Sequence, residues 1–136
     1  MINNEQKQEL AKLAASMRQR SYIPYSHYAV GAALLTKDGQ IFTGCNIENA
    51  AFPVSVCAER TAIFKAVSEG FKDFEAIAIA TEDGQGYPCG SCRQVMAEFA
   101  PDLDIFLADR DGSITVESNL RELLPGAFTP ERLLDR

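Results

Sequence analysis

Phe74-Glu75-Ala76-Ile77-Ala78-Ile79-Ala80 is a short apolar run, and the glycine-containing loop Thr81 to Tyr87 carries it into Pro88-Cys89-Gly90-Ser91-Cys92. The run reads as a strand. After Pro88 the apolar residues Val95, Met96 and Phe99 recur at helical spacing until Pro101 stops them. Leu103-Asp104-Ile105-Phe106-Leu107-Ala108 then reads as another strand. Upstream, Ala58, Ala62, Ile63, Ala66 and Val67 mark one face of a helix that begins at Cys57, in its first turn, and ends at Gly70. Strand and helix therefore alternate across the middle of the chain, which is the pattern of a sheet with helices packed on it.

The flanks complete the picture. Leu10, Leu13, Ala14 and Met17 give residues 4 to 20 a helical stripe that stops before Pro24. Residues 28 to 36, Tyr28 through Thr36, read as a strand buried on both faces, and their small residues predict close packing by another element. Asp38-Gly39 is a hairpin turn, so Ile41 to Asn46 returns antiparallel. Residues 50 to 56 form an irregular loop containing Pro53. Asp111-Gly112 turns the chain into a fifth strand, Ser113 to Val116. Leu120, Leu123 and Leu124 predict a helical turn, and Pro130 to Leu134 a last short helix. The expectation is one domain, residues 1–136, with an α/β fold: three layers, α/β/α, around a five-stranded mixed sheet.

Composition narrows the function. The chain has 136 residues, enough for one core. Hydrophobic residues at 46% and charged residues at 24% suit a soluble protein. A net charge of −6 repels phosphate backbones, so nucleic acid is not the expected partner. No apolar run approaches the ~20 residues that span a bilayer. The polar start Met1-Ile2-Asn3-Asn4-Glu5-Gln6 has no signal core, so the expected location is cytoplasmic. Four cysteines in a cytosolic chain point to metal binding or catalysis before disulfides.

Cys57 and Cys89 are separated by 31 residues, and Cys92 follows Cys89 at Cys-x-x-Cys spacing. Three thiolates hold one zinc ion and leave its fourth position to water, as a catalytic site requires. Helix starts favour thiolates through free N–H groups and the helix dipole. Three thiolates and Zn²⁺ sum to −1, an excess that would blunt the acidity of bound water. Arg60 offers compensation from beside the sulfurs; read alone, it is equally a surface arginine. Glu59 is a proton carrier for the water or a solvated glutamate at a helix start. Cys45 is either a fourth structural ligand or a free buried thiol. Asn46 and Glu48 face a pocket or make turn contacts. His27, without partners in the pattern, belongs to a loop.

The combination resembles the cytidine deaminases of nucleoside salvage, in the short homotetrameric class with three cysteine ligands. The resemblance runs from about Ala14 to Phe128. It rests on Tyr25-Ser26, Val30-Gly31-Ala32-Ala33-Leu34, Gly44-Cys45-Asn46-Ile47-Glu48-Asn49-Ala50, Cys57-Ala58-Glu59-Arg60-Thr61-Ala62, Pro88-Cys89-Gly90-Ser91-Cys92-Arg93-Gln94 and Leu123-Leu124-Pro125-Gly126-Ala127-Phe128. It implies one zinc ion per subunit on Cys57, Cys89 and Cys92, with Glu59 as proton shuttle. It further implies that Asn46 and Glu48 hold the ribose hydroxyls and that the Ala58 backbone N–H lies by the base. Tyr28 matches a position where an aromatic ring, usually Phe, meets the pyrimidine. Phe128 matches an aromatic that reaches into a neighbouring subunit's site. The implied reaction is hydrolytic deamination of cytidine and 2′-deoxycytidine to uridine and 2′-deoxyuridine in pyrimidine salvage. A related cytosine nucleoside, such as blasticidin S, is the alternative substrate. Phe52-Pro53-Val54-Ser55-Val56 is more apolar than the family pattern, where subunits are expected to meet.

Overall fold

Asn3 opens the first helix, α1 (Asn4–Met17): its side chain accepts from Gln6 N at 2.8 Å, and the Gln6 side chain accepts from Asn3 N at 3.0 Å. Such a cap is worth about 1 kcal/mol. The computed structural model describes residues 2–134. A single turn of 3₁₀ helix, Arg18–Arg20, extends α1, so the stripe expected over residues 4 to 20 is helical in two pieces. Five strands follow in one sheet: β1 (Gly31–Thr36), β2 (Ile41–Cys45), β3 (Phe74–Ala80), β4 (Asp104–Ala108) and β5 (Ile114–Asn119). Their spatial order is β2-β1-β3-β4-β5. Only β3 and β4 pair in parallel, so the sheet is mixed, as expected.

The sheet separates two apolar layers. Ala76, Ala78 and Ala80 of β3 face α1, whose Leu10, Ala11 and Ala14 are buried against them. Ile77 and Ile79 face the other way, toward α2 (Ala58–Ser68) and α3 (Gly90–Phe99). Period-two alternation thus sorts small side chains to one face and large ones to the other. Each fully buried Ile or Leu contributes roughly 1.5–3 kcal/mol. Two glycines set the helix distances. A Cβ on Gly31 would lie 2.0 Å from Ala14 O, and one on Gly44 would lie 2.5 Å from Ala58 O. Gly31 therefore lets α1 sit on β1, and Gly44 seats the first turn of α2 on β2.

The register fixes one edge. Gly31 pairs with Cys45 on one side and Ala80 on the other, and Ala80 pairs with Ala108. The carboxyl ends of β2, β3 and β4 therefore lie at one edge of the sheet, with the start of β1 between the first two, and α2 and α3 begin at that edge. Two short helices, α4 (Leu120–Leu123) and α5 (Pro130–Leu134), close the described chain.

Several boundaries differ from the sequence reading; β2 ends one residue early, at Cys45, and β4 and β5 each begin one residue late. β1 starts at Gly31 and not Tyr28, because the Asn46 side chain takes the backbone groups of residues 28 and 30 that a ladder would have used. β5 runs on to Asn119, since an edge strand with one wet face carries polar residues such as Glu117 and Ser118 and hides its length. Cys57 is the residue capping α2, one position before its first turn.

Candidate active site

Both helix starts at the sheet edge present sulfur. Cys57 caps α2, and Cys89 caps α3 with its Sγ accepting from Cys92 N at 3.4 Å. Cys92 lies in the first turn of α3, fully buried. The Cys57 and Cys89 sulfurs are 4.0 Å apart, those of Cys89 and Cys92 3.4 Å, and all three lie within 4.8 Å of one another. Tetrahedral zinc with Zn–S bonds near 2.3 Å sets sulfurs about 3.8 Å apart, so the spacing fits. Among the described residues no fourth histidine, cysteine or carboxylate joins this group, which leaves a coordination position for a non-protein ligand. Cys45 stands elsewhere: its Sγ is 3.4 Å from Arg20 O, and burial pushes its pKa up, which keeps it a thiol.

Arg60 Nη2 is 3.3 Å from Cys57 Sγ, and Arg60 Nε is buried with no hydrogen-bond partner among the described residues. The guanidinium of this half-buried residue therefore turns one edge toward the sulfurs. A hydrogen bond from Cys92 draws the Cys57 thiol down to about 5, with Arg60 adding to the effect. The same Cys57–Cys92 bond, with burial, pushes Cys92 up. Of these two, Cys57 ionises first. Glu59, 5% exposed, is far from a solvated helix-start glutamate. Burial, with the neighbouring Cys57 charge adding to it, raises its pKa to about 7. A carboxyl so poised takes up and gives back protons near neutrality.

Cys57, Ala58, Glu59 and Cys89 line a cavity of ≈240 Å³ together with Tyr28, Val30 and Asn46. Ile79, Thr81, Gly86 and Tyr87 complete its lining. This last group was not read from the sequence. Ile79 and Thr81 were within reach: they continue the strand alternation that faces α2. Gly86 and Tyr87 carried no such signal. A larger cavity, ≈540 Å³, lies near α4 and α5, but it holds no cysteine and no buried carboxylate.

Of the expected site residues, Tyr28, Asn46, Cys57, Ala58, Glu59 and Cys89 share the smaller cavity, with Cys92 and Arg60 behind it. Glu48 is not on its lining. Its carboxylate accepts from Tyr25 N and Ser26 N, each at 3.1 Å, and from the Ser26 hydroxyl. Asn46 also works on the backbone, accepting from Val30 N at 3.0 Å and donating to Tyr28 O at 2.8 Å. These two residues fold the 25–30 segment over the cavity. Phe128 is 56% exposed and off the lining, and its carbonyl accepts from Gln94. His27 is an exposed loop residue with φ 59°.

The family model for the cytidine and deoxycytidylate deaminase zinc-binding region matches residues 4–107. The cytidine deaminase of Halalkalibacterium halodurans is 50% identical over 131 residues, covering 95% of this chain and 98% of that protein. The solved structure of cytidine deaminase from Burkholderia pseudomallei superposes with a TM-score of 0.84 at 42% identity, covering 93% of this chain and all of that one. The blasticidin-S deaminase of Bacillus cereus is 34% identical over 135 residues, covering 93% of this chain and 94% of that protein.

Proposed function

The chain belongs to the cytidine and deoxycytidylate deaminase family, and from that premise we propose that it hydrolyses cytidine and 2′-deoxycytidine to uridine and 2′-deoxyuridine, releasing ammonia. The observation that carries the reading is a buried glutamate, Glu59, in the same cavity as sulfurs that lie within 4.8 Å of one another. Cys57, Cys89 and Cys92 hold one zinc ion per chain. Zinc, when bound, supplies a Lewis acid that makes water reactive at neutral pH. Arg60 and the two helix starts offset the negative charge of the sulfurs.

Glu59 moves the protons. It takes one from the attacking water and delivers it to N3 of the ring as oxygen bonds to C4. It then takes the proton of the new C4 hydroxyl and delivers it to the amino group, which leaves as ammonia while C4 becomes a carbonyl. No proton is left over, so one carboxylate suffices for the cycle. The Ala58 backbone N–H and the Tyr28 ring hold the pyrimidine, and Asn46 and Glu48 hold the ribose while they brace the 25–30 segment.

The whole chain, residues 1–136, acts as one domain and assembles as a homotetramer. Phe52, Val54 and Phe128 support the assembly, being 70%, 64% and 56% exposed. Phe128 reaches a neighbour's cavity, which explains its place off the lining of its own. The setting is pyrimidine salvage in the cytoplasm; no helix among the described residues is long and apolar enough to cross a membrane. The acidic net charge of −6 argues against a nucleic-acid substrate.

Ultraviolet monitoring of zinc-loaded protein with cytidine, with blasticidin S in parallel, tests the reading. Turnover of cytidine is expected. Glu59→Gln is expected to lower kcat by about 10³-fold or more while zinc content stays near normal. Full activity in that variant, or turnover of blasticidin S alone, would contradict the reading.

A further inference from the structure

Thr81 is one of the cavity residues that the reaction above leaves without a task. Its backbone N–H donates to Ala108 O at 3.0 Å, so it carries the β3 ladder one step past Ala80. Strand alternation then puts it on the face of Ile77 and Ile79, toward α2. Thr81 is one of the residues that line the cavity with Glu59 and Cys57. Thr81 is 2% exposed, yet its hydroxyl has no hydrogen-bond partner among the described residues. Folded proteins rarely leave a buried hydroxyl unpaired, because its lost hydration goes uncompensated.

The side chain is also held in place. A Cβ on Gly86 would lie 2.2 Å from Thr81 Cγ2 and 3.0 Å from Tyr28 Oη. The threonine methyl therefore occupies the space that the glycine leaves. Hydroxyl and methyl do not exchange positions without losing that contact, so the hydroxyl is preset before anything enters the cavity.

We propose that Thr81 is a substrate-binding residue whose hydroxyl hydrogen-bonds the polar edge of the pyrimidine ring. This rests on the nucleoside deaminase reading given above. A hydroxyl both donates and accepts by rotating about one bond. The same group therefore accepts from the amino group of a cytosine and donates to the carbonyl oxygen that replaces it. An amide or a charged side chain fixed at this position would suit one of the two.

The test compares wild type, Thr81→Val and Thr81→Ser, each zinc-loaded, by kinetics on cytidine, metal content and melting temperature. Valine keeps the shape and removes the hydroxyl; serine keeps the hydroxyl and removes the methyl. Thr81→Val is expected to lower kcat/KM about tenfold. Its zinc content should be unchanged and its melting temperature equal to or above wild type, because an unpaired buried hydroxyl has been removed. Thr81→Ser is expected to recover most of the kcat/KM. Wild-type kinetics in Thr81→Val would overturn the assignment. So would a fall in the melting temperature of Thr81→Val that tracks its lost activity, which would point to a structural role. A wild-type protein inert toward cytidine would instead sink the deaminase reading itself.

Discussion

Cys57 and Cys89 line the cavity from the starts of two helices. Tyr28 and Asn46 line it from loops. The sulfur region is built from repeating structure: sheet register aligns the carboxyl ends of β2 and β3, and Gly44 sets how closely α2 approaches. The loop region is built from single side chains. Asn46 stands in for a strand by bonding Val30 N and Tyr28 O, and the Glu48 carboxylate gathers Tyr25 and Ser26. The first region depends on the whole sheet and responds to few single changes other than at its sulfurs. The second depends on two residues and can be loosened alone.

The largest separation is expected from Cys89→Ser. It removes a sulfur that lies 4.0 Å from Cys57 and 3.4 Å from Cys92. Bound zinc measured by metal analysis should fall to a small fraction of one per chain, with cytidine turnover abolished and the far-ultraviolet circular dichroism unchanged. Full zinc occupancy would mean that the sulfur group is not the metal site.

Asn46→Ala should do the reverse. Two backbone groups lose their partners, at a cost of about 1–3 kcal/mol, read as a lower urea midpoint. Amide exchange at Val30 should speed up, while zinc content holds. Zinc loss in this variant would erase the distinction between the two regions.

Glu48 gives the smallest effect, and one that depends on pH. The Ser26 hydroxyl, with the N–H groups of Ser26 and Tyr25, holds its carboxyl below the usual range. A depressed folded pKa contributes stability above the unfolded value, and that contribution is lost as pH falls through the folded one. The melting-temperature gap between wild type and Glu48→Gln should therefore be full above the ordinary glutamate pKa of about 4.3 and close in more acid solution. A gap independent of pH would mean that the carboxylate charge plays no part in bracing the 25–30 segment.

The same division explains what could be read from sequence. Phe74–Ala80 and Pro130–Leu134 have the bounds expected of them, because short-range spacing and flanking glycines or prolines decide such elements. The cysteine trio could be read for a similar reason: helix starts after strands converge on one sheet edge whatever the loops do. Tyr28–Val30 could not, since its backbone partners come from a side chain 16 residues away from Val30. Nor could the preoccupation of Glu48 with Tyr25 and Ser26, or the burial of Glu59, which follows from the seating of α2 on Gly44. The rest of the cavity lining lay half open to inference. Strand alternation reaches Ile79 and Thr81, but nothing local announces that Gly86 and Tyr87 fold back beside them.

X-ray absorption spectroscopy at the zinc edge, on wild-type protein with its metal content measured, tests the metal centre most directly. One zinc per chain is predicted, with three sulfurs near 2.3 Å and a single oxygen or nitrogen neighbour. Four sulfurs around the ion, or fewer than three, would contradict an open catalytic site built from two helix starts.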